Sequence, residues 1–506
     1  MHWKPRSAKS VVALKLSVAF LAFICVTILG LCDNEDSSGQ GSQWWWNPRV
    51  ESRKAVGTQP KEKYLVGRLP WADSEDPIKE SYAGYVSVRN DEGAKTFFWF
   101  TPALALSRMS SQQENSAQSP LILWLQGGPG SSSMIGLFEE MGPFRINGNH
   151  ELVRNRDTWN ANNSLLFVDS PVGTGFSYFD EPHIQSPHAS NEGFSCATNQ
   201  TTISRDLLTF LLEFYRLFPE QRLASLYLAG ESYAGKYIPH FAEAINTYNQ
   251  MAAPLENDPI PLKGFLIGDG LTDPVTQIKA HALVALALGL VNPAEAAQMA
   301  ILADTAITHV VNKQWKEAND IRNILFDYFA EASGGVNVYD VRKGSVPNDH
   351  IALEAFLGRK DVRRAINVCS PQKIHDTCSV FAARNPSVRV AMAQDIMQSA
   401  APLIGELLNT GYHVLLYQGQ FDFRDGIMGQ TEWIHGLKWC GQQGYRDADR
   451  RVWKHDDGLV AGYITEFANL RRVEVLQAGH LAPGDQGART RSMVESFMEK
   501  SHAGLA

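Results

Sequence analysis

The eight residues 230–237, Gly-Glu-Ser-Tyr-Ala-Gly-Lys-Tyr, constrain the fold of this chain more than any other segment. They directly follow the apolar run 225–229 and precede apolar positions repeating every 3.6 residues, which predict a helix. A serine flanked by small residues between a strand and a helix is typical of a sharp turn that lifts its hydroxyl clear of a sheet. Ser232 is therefore a candidate nucleophile. The neighbouring carboxylate of Glu231 suggests contact with a carboxylate of the substrate.

Short and nearly continuous apolar runs recur along the chain, with helical patterns between them. They occupy 121–125, 164–168, 225–229, 264–268, 414–417 and 473–476. Runs of this kind predict parallel strands that are buried on both faces. Two further runs, 82–88 and 96–100, flank the turn-rich residues 90–93 and predict an antiparallel pair. The fold class is therefore α/β, with a mostly parallel central sheet and helices on both of its faces.

The 506 residues divide into five predicted regions. These are a signal peptide or signal anchor (1–32), a partly disordered leader (33–79), a first part of the core (80–275), a helical cap insertion (276–350) and a second part of the core (351–500). The insertion is predicted from three successive helical patterns. The second pattern begins at Asn292-Pro293, where a capping residue precedes a proline suited to the first helical turn.

The N-terminal region carries a targeting signal. Basic residues precede the mostly apolar stretch 16–32, and the chain then becomes abruptly polar. This pattern fits either a cleaved signal peptide or an uncleaved anchor, and only the anchor would attach the protein to a membrane. Both direct the protein into the secretory pathway, to be secreted or delivered to a vacuole or lysosome. The formal net charge of −8, without a basic block beyond residue 15, argues against a nucleic-acid partner.

Cysteines and glycosylation triplets agree with that route. Outside the signal the chain contains Cys196, Cys369, Cys378 and Cys440. An even number favours disulfides, for which three pairings exist, while four free thiols are the alternative. The short loop between Cys369 and Cys378 favours that pair, which would leave Cys196 with Cys440. Asn162 and Asn199 each begin a glycosylation triplet. No CxxC or Cys/His cluster is present, so the sequence predicts neither a metal nor a cofactor.

A nucleophilic serine requires a base and an acid that orients the base. In α/β-hydrolases these follow the serine in the order acid, then histidine. Asp422 and His480 each follow a predicted strand in that order. We therefore expect His480 to take the proton of Ser232 and Asp422 to fix the tautomer of His480. His240 lies eight residues into the helix behind Ser232 and Asp425 lies further from its strand, so both are poorer candidates.

The third requirement is a pair of backbone N–H groups that stabilise an oxyanion. One is the N–H of Tyr233, directly after the nucleophile. The other is expected from the glycine-rich loop 126–133, which follows the strand 121–125, and Gly128 is its predicted donor. A glycine-rich loop could also bind phosphate, but no Gly-Lys-Ser/Thr sequence follows this one.

Five ordered motifs resemble those of the serine carboxypeptidase family. They are 124–130, 168–178, 230–237, 268–274 and 478–486. The resemblance spans about residues 80 to 500 and implies an α/β-hydrolase fold. It also implies an enzyme that removes C-terminal residues from peptides and proteins through an acyl-enzyme, usually in an acidic compartment. Members of the family often dimerise, so a homodimer is a further expectation.

The resemblance assigns roles to single positions. Ser232, Asp422 and His480 match the family's catalytic triad, and Gly128 and Tyr233 match its oxyanion donors. The family binds the terminal carboxylate of the substrate with an Asn, the amide of the next Gly and two acidic side chains. The matching positions are Gln126, Gly127, Glu140 and Glu231.

Two carboxylic acids beside a substrate carboxylate cannot all ionise, so their pKa values are expected to rise. A protonated glutamic acid can then donate a hydrogen bond to the substrate. Activity is therefore expected at acid pH and should be lost as the pH rises through these elevated values.

The chain departs from the family at Gln126, where most members have Asn, at Ser131, where many have Cys, and at Gln420, where many have Asp. Gln126 and the sequence 417–422 resemble the retinoid-inducible and vitellogenic-like subgroup. Two other functions remain open at this point. One is an acyltransferase of the same fold, and the other is a catalytically weak binding protein, against which the intact triad argues.

Overall fold

The computed structural model describes residues 60–72, 80–89, 92–104, 119–180, 196–252, 259–345, 350–369 and 381–502. The predicted signal 1–32 and most of the leader 33–79 lie outside these residues. All of the described residues belong to one compact unit, which lies within Thr58–Ala506.

Most of the strands of the described chain form one large mixed sheet. Its order is β1-β2-β6-β3-β8-β9-β10-β13-β12-β11, with β7 beside β2, while β4 and β5 form a separate hairpin. The strands are β1 (Tyr82–Arg89), β2 (Ala94–Thr101), β3 (Leu121–Leu125), β4 (Phe144–Ile146), β5 (Leu152–Arg154), β6 (Ser164–Val168), β7 (Tyr178–Phe179), β8 (Leu226–Glu231), β9 (Leu262–Gly268), β10 (His413–Gly419), β11 (Arg451–Lys454), β12 (Val460–Phe467) and β13 (Leu470–Val475).

The six central strands, β6 to β13 in spatial order, run parallel to one another. Each of them coincides with one of the apolar runs in the sequence, and the antiparallel pair β1–β2 was also predicted. Strands β3 and β6 are buried along their whole length. Side chains alternate between two apolar cores, so that Leu123 faces one core and Trp124 faces the other.

Helices cover both faces of the sheet, as predicted. They are α1 (Gln200–Leu217), α2 (Ala234–Ala252), α3 (Pro274–Ala287), α4 (Pro293–Val311), α5 (Trp315–Ala332), α6 (Ile351–Gly358), α7 (Lys360–Ala365), α8 (Pro386–Ala391), α9 (Ala401–Asn409), α10 (Ile427–Gly436), α11 (Gln442–Arg446), α12 (Ala482–Asp485) and α13 (Gly487–His502). Residues of α1 to α5 pack in one core, whereas α6 and α13 pack in the other. The predicted fold class is thereby confirmed.

Helices α3, α4 and α5 follow β9 in the segment where three helical patterns were predicted. Helix α4 begins at the predicted residues, because the side chain of Asn292 accepts hydrogen bonds from the backbone of α4 and Glu295 bonds back to Asn292. Among the described helices, none combines the length and the apolar composition that crossing a bilayer requires.

The cysteines differ in part from the prediction. Cys369 and Cys440 are both disulfide-bonded, whereas Cys196 is free. The expected pairing of Cys196 with Cys440 is therefore wrong. Cys196 lies beside Gly173, while the backbone N–H of Cys440 donates to Asn409 at the end of α9. The predicted bond of Cys369 to Cys378 cannot be described, because Cys378 lies outside the described residues.

Candidate active site

Ser232 occupies a strained turn between β8 and α2. Its φ is 63°, in the left-handed region that non-glycine residues seldom adopt. Its N–H donates to the carbonyl of Gly268 (3.1 Å), and its own carbonyl accepts from the N–H of Gly235 (2.9 Å). A Cβ atom on Gly230 would lie 2.6 Å from the Cβ of Ala234. The turn therefore requires small flanking residues, as the sequence pattern predicted.

His480 and Asp422 are joined by a buried hydrogen bond. His480 Nδ1 lies 2.9 Å from Asp422 Oδ2, and the His480 side chain is 3% exposed. His480 Nε2 has no hydrogen-bond partner among the described residues. His480 and Ser232 line the same cavity. His480 also stacks edge-on against Tyr339, at 4.9 Å between ring centres.

Several donors hold Asp422 in place. Oδ2 accepts from Gln418 Nε2 (2.7 Å) as well as from His480, and Oδ1 accepts from the backbone N–H of Arg424 (2.8 Å). Burial lowers the pKa of His480, but the charge and hydrogen bond of Asp422 outweigh burial, so that the pKa is raised. Asp425 lies 4.0 Å from His480 Nδ1 and takes no part in the bond.

Asp269 is a member of this network that the sequence analysis did not single out. Its Oδ1 accepts from Gln418 Nε2 (2.8 Å) and from the N–H of Gly419 (2.7 Å). Burial raises the pKa of Asp269 well above its ordinary value, and the charge of Asp422 raises it further. Carboxylate and imidazole atoms of Asp269, Asp422 and His480 lie within 4.8 Å of one another, as metal ligands would. Gln418 Nε2 donates to both carboxylates, and His480 bonds to Asp422.

The glycine-rich loop lies directly against the turn that carries Ser232. A Cβ atom on Gly127 would lie 2.4 Å from the backbone nitrogen of Tyr233 and 2.7 Å from Ser232 Cβ. Gly128 has a φ of 110°, which glycine adopts readily. Gly127, Gly128 and Ser232 all line the cavity, so the backbone of the loop and the backbone of Tyr233 meet beside the serine.

A buried polar cluster holds the side chain of Tyr233 in place. Its hydroxyl donates to Asp395, which also accepts from Gln200 Nε2 (2.7 Å) and forms an ion pair with Lys236 (3.0 Å). Lys236 is 1% exposed, and burial lowers its pKa to about 8. The cluster thus fixes the residue whose N–H is the predicted oxyanion donor.

We expect Asp395→Asn to lower the free energy of unfolding by about 3 kcal/mol, because it leaves the buried ammonium of Lys236 without its counter-charge. Urea unfolding of the two proteins measures the difference. Asp320→Asn is the matched control, since Asp320 pairs with Lys316 at 2.8 Å on the surface and its loss should not be measurable. Equal effects of the two substitutions would contradict the expectation.

Four residues are predicted to hold a carboxylate, and we call them the clamp: Gln126, Gly127, Glu140 and Glu231. Three of them line the cavity, whereas Glu140 lies beside Glu231 without lining it. Gln126 Nε2 donates to Glu231 Oε1 (2.9 Å), and Gln126 Oε1 accepts from Trp124 Nε1 (3.0 Å). The amide of Gln126 therefore lies against Glu231. The backbone carbonyl of Glu140 accepts from Arg145 Nη2 (2.9 Å).

Glu140 and Glu231 are fully buried side by side. Both oxygens of Glu140 and Oε2 of Glu231 accept no hydrogen bond from the described residues, so the two acids can bond to each other only when one of them carries a proton. Burial raises the pKa of Glu140 to about 7, and the bond from Glu231 partly opposes this rise. Burial raises the pKa of Glu231 well above its ordinary value, and the charge of Glu140 adds to the effect. Glu231 therefore keeps its proton to a higher pH than Glu140 does.

The cavity has a volume of about 320 Å³ and connects the clamp with Ser232 and His480. The lining also includes four residues that the sequence did not indicate, namely Tyr339, Arg384, Arg389 and Arg424. Only Arg424 carried a signal in the sequence, because it follows Asp422 by two residues. The others come from loops and from α8, whose position against the cavity no local pattern predicts. His240, by contrast, does not line this cavity and bonds to the carbonyl of Lys236.

Comparisons with known proteins agree with this geometry. A family model described as serine carboxypeptidase matches residues 70–500. The chain is 36% identical to a probable serine carboxypeptidase CPVL of Dictyostelium discoideum, over 84% of this chain and 79% of that protein. It is 34% identical to the human protein of the same name, over 90% of each chain. It is 32% identical to vitellogenic carboxypeptidase of Aedes aegypti, over 84% of each chain.

A solved structure has the same architecture. KEX1(delta)p, a prohormone-processing carboxypeptidase from Saccharomyces cerevisiae, superposes with a TM-score of 0.75 at 27% identity, and the match covers 87% of this chain and 97% of that one. The expected resemblance is confirmed by these matches. The protein belongs to the serine carboxypeptidase family.

Proposed function

We propose that this protein removes the C-terminal residue of peptides through an acyl-enzyme formed on Ser232. The observation that carries the proposal is a single cavity lined by Ser232, by His480 in its bond to Asp422, and by Glu231, which belongs to a buried pair of carboxylic acids. The first three groups supply hydrolysis, and the pair restricts it to chain ends.

The reaction begins when His480 Nε2 takes the proton of Ser232 and the serine oxygen attacks the last peptide carbonyl. The N–H groups of Gly128 and Tyr233 stabilise the resulting oxyanion. His480 then returns the proton to the leaving amine, which departs as the free C-terminal amino acid. Water hydrolyses the acyl-enzyme by the same steps. Asp422 keeps the proton of His480 on Nδ1 throughout.

The clamp selects a free C-terminus. Protonated Glu231, the Gln126 amide and the N–H of Gly127 provide donors for a carboxylate, and a terminal amide satisfies these groups less well. A buried donor left without an acceptor costs free energy. An internal peptide bond has no carboxylate at this position to accept from these donors. Peptide C-termini are therefore the proposed substrates.

We expect an N-blocked dipeptide with a free C-terminus to be hydrolysed with a kcat/KM roughly 100-fold above that of the same dipeptide amidated at its C-terminus. Release of the terminal residue at pH 5 to 6 is the measurement, and Ser232→Ala is the blank. Equal rates for both substrates would contradict the proposal. Labelling of Ser232 by a fluorophosphonate without hydrolysis of either substrate would favour an acyltransferase.

The proposal extends to the cellular compartment of the protein and to its glycosylation. The N-terminal signal supports entry into the secretory pathway, and an acidic vacuole or lysosome suits a clamp that must be protonated. Asn162 and Asn199 are both exposed, which supports glycosylation at each. Helices α3 to α5, inserted between sheet strands, are proposed to form the cap. A homodimer remains an expectation from the family.

A further inference from the structure

Part of the cavity lining consists of arginines, and we call this part the basic wall. Arg384, Arg389 and Arg424 all line it, and Arg384 is exposed while the other two are half-buried. Within the described ranges, none of the three forms an ion pair with a carboxylate. Guanidinium groups that are partly removed from water without a counter-charge are unfavourable unless an anion arrives to pair with them.

Aromatic rings and neutral acceptors hold these charges in position. The guanidinium of Arg424 lies 4.8 Å from the ring centre of Phe326 and 5.2 Å from that of Tyr339, and Arg384 lies 5.7 Å from Tyr339. Stacking of this kind orients a guanidinium but leaves its charge in place. The edge donors of both side chains are thus left for a ligand.

Arg389 and Arg322 extend the basic wall behind Ser232. Arg389 Nη1 donates to the carbonyl of Gly128 (3.0 Å), which is a neutral acceptor. Arg322 lies 3.7 Å from Asp425 in the one ion pair found here among the described residues. The nearest buried acid is therefore already paired with Arg322. Leaving aside the Asp422–His480 pair, one carboxylate, that of Asp425, lies among four arginine side chains. The basic wall therefore carries a net positive charge.

The basic wall lies on the side of the scissile bond that remains on the enzyme. Arg322, Arg389 and Arg424 line a small recess together with Ser232 and Tyr233. None of the four clamp residues lines this recess. Because the clamp holds the terminal residue, and the oxyanion donors hold the attacked carbonyl, the recess and the basic wall face the penultimate residue.

We propose that the basic wall selects peptides whose penultimate residue is Asp or Glu. The inference rests on the proposed function and adds the substrate class to it. A carboxylate on that side chain meets guanidinium donors in a partly dehydrated cavity, where charge-assisted hydrogen bonds are strong. A lysine or arginine at the same position meets like charge. The cavity is therefore acidic toward the terminal residue and basic toward the residue before it.

The test uses N-blocked dipeptides that share a C-terminal Leu and carry Glu, Gln or Lys before it. At pH 6 we expect kcat/KM for Glu to exceed that for Gln by about tenfold, with Lys below both. The ratio of Glu to Gln should fall as the pH drops from 6 to 4, because the substrate's own side chain becomes protonated near its ordinary pKa of about 4.3. Added salt should also reduce the ratio.

Charge reversal at Arg384 tests the wall itself. Arg384 is exposed, so Arg384→Glu is expected to fold, to bring the ratio of Glu to Gln below that of the wild type by about tenfold or more, and to raise kcat/KM for Lys. Arg389→Gln should lower the ratio and Arg389→Lys should restore part of it. Arg154→Glu is the control, since Arg154 lies in β5 outside the cavity, and it should leave the ratio unchanged.

Three results would overturn the inference in distinguishable ways. Turnover of Glu, Gln and Lys substrates at equal rates would contradict the inference and leave the proposed function standing. A uniform loss for all three substrates in the Arg384 and Arg389 variants, with unchanged ratios, would mean that the arginines bind the terminal carboxylate instead. Absence of turnover for all three substrates in the wild type would contradict the proposed function, and the inference with it.

Discussion

Ser232→Ala is expected to lower kcat for free-acid dipeptides by roughly 10⁵-fold or more, which is the largest effect we predict. Without the hydroxyl no acyl-enzyme forms, and the oxyanion donors and the clamp alone provide only a residual rate. The substitution removes one oxygen atom from a turn that the backbone of Gly268 and Leu271 already holds, so the fold should persist. Hydrolysis is measured beside thermal unfolding of the same preparations.

Asp422 and Asp425 provide a matched pair of variants that tests which carboxylate orients His480. Asp422→Asn should lower kcat by roughly 10⁴-fold, because an amide favours the wrong tautomer of His480. Asp425→Asn removes an equally buried carboxylate that lies 4.0 Å from the same nitrogen without bonding to it. Its effect on kcat should be within about tenfold of the wild type. Similar losses in both variants would mean that the two acids act together and that Asp422 alone does not orient the base.

Much of the fold was predictable because its signals are local. Each central strand contains a short apolar run, and the helix α4 begins at a residue pattern with a defined capping geometry. Strands β11 and β12 were not predicted. They are antiparallel strands at the edge of the sheet, where exposed and buried residues mix, so their apolar pattern is weak. The wrong pairing of Cys196 has a similar cause, since loop contacts decide it and no local pattern reports them.

The residues of the candidate site also differ in whether a local sequence pattern predicts them. Ser232, Asp422 and His480 lie at strand ends within ordered motifs, so the sequence alone could suggest them. Arg384 and Arg389 contribute to the same cavity from a segment without such a motif, and their proximity to Ser232 depends on how the chain returns to the sheet. Residues that carry the reaction were thus visible in the sequence, whereas those that face the variable part of a substrate were not.

The loss of activity at acid pH and the loss at alkaline pH are expected to arise from different groups. Neutral His480 is the active base, and its pKa is raised, so protonation should lower kcat on the acid side. The clamp acts on binding. Below pH 7 both acids of the pair hold protons, and above pH 7 Glu140 ionises beside the substrate carboxylate. KM should therefore be constant below about pH 6.5 and rise toward tenfold per pH unit above 7.

Replacing both acids by amides should remove the rise in KM. In Glu140→Gln/Glu231→Gln the clamp keeps donors at every pH and gains no charge, so KM should stay within about threefold from pH 5 to 8. Glu213→Gln is the control, because Glu213 pairs with Arg216 on the surface of α1 outside the cavity and its loss should leave the rise near pH 7 in place. A wild-type KM that is flat across this range would contradict the assignment of Glu140 and Glu231 to the clamp.

The protons held by Glu140 and Glu231 should also make the stability of the fold depend on pH. A measurement of stability therefore tests their protonation independently of catalysis. The pKa of Glu140 is about 7 in the folded protein against 4.5 for an ordinary glutamate, so the folded state binds this proton more tightly than the unfolded state. The resulting stabilisation is complete below pH 4.5 and is lost as the pH rises through 7. The Tm of the wild type should therefore fall more steeply between pH 5 and 8 than that of the double variant. Parallel Tm curves would mean that the pair is ionised in the folded protein, and the clamp would then have no proton to donate.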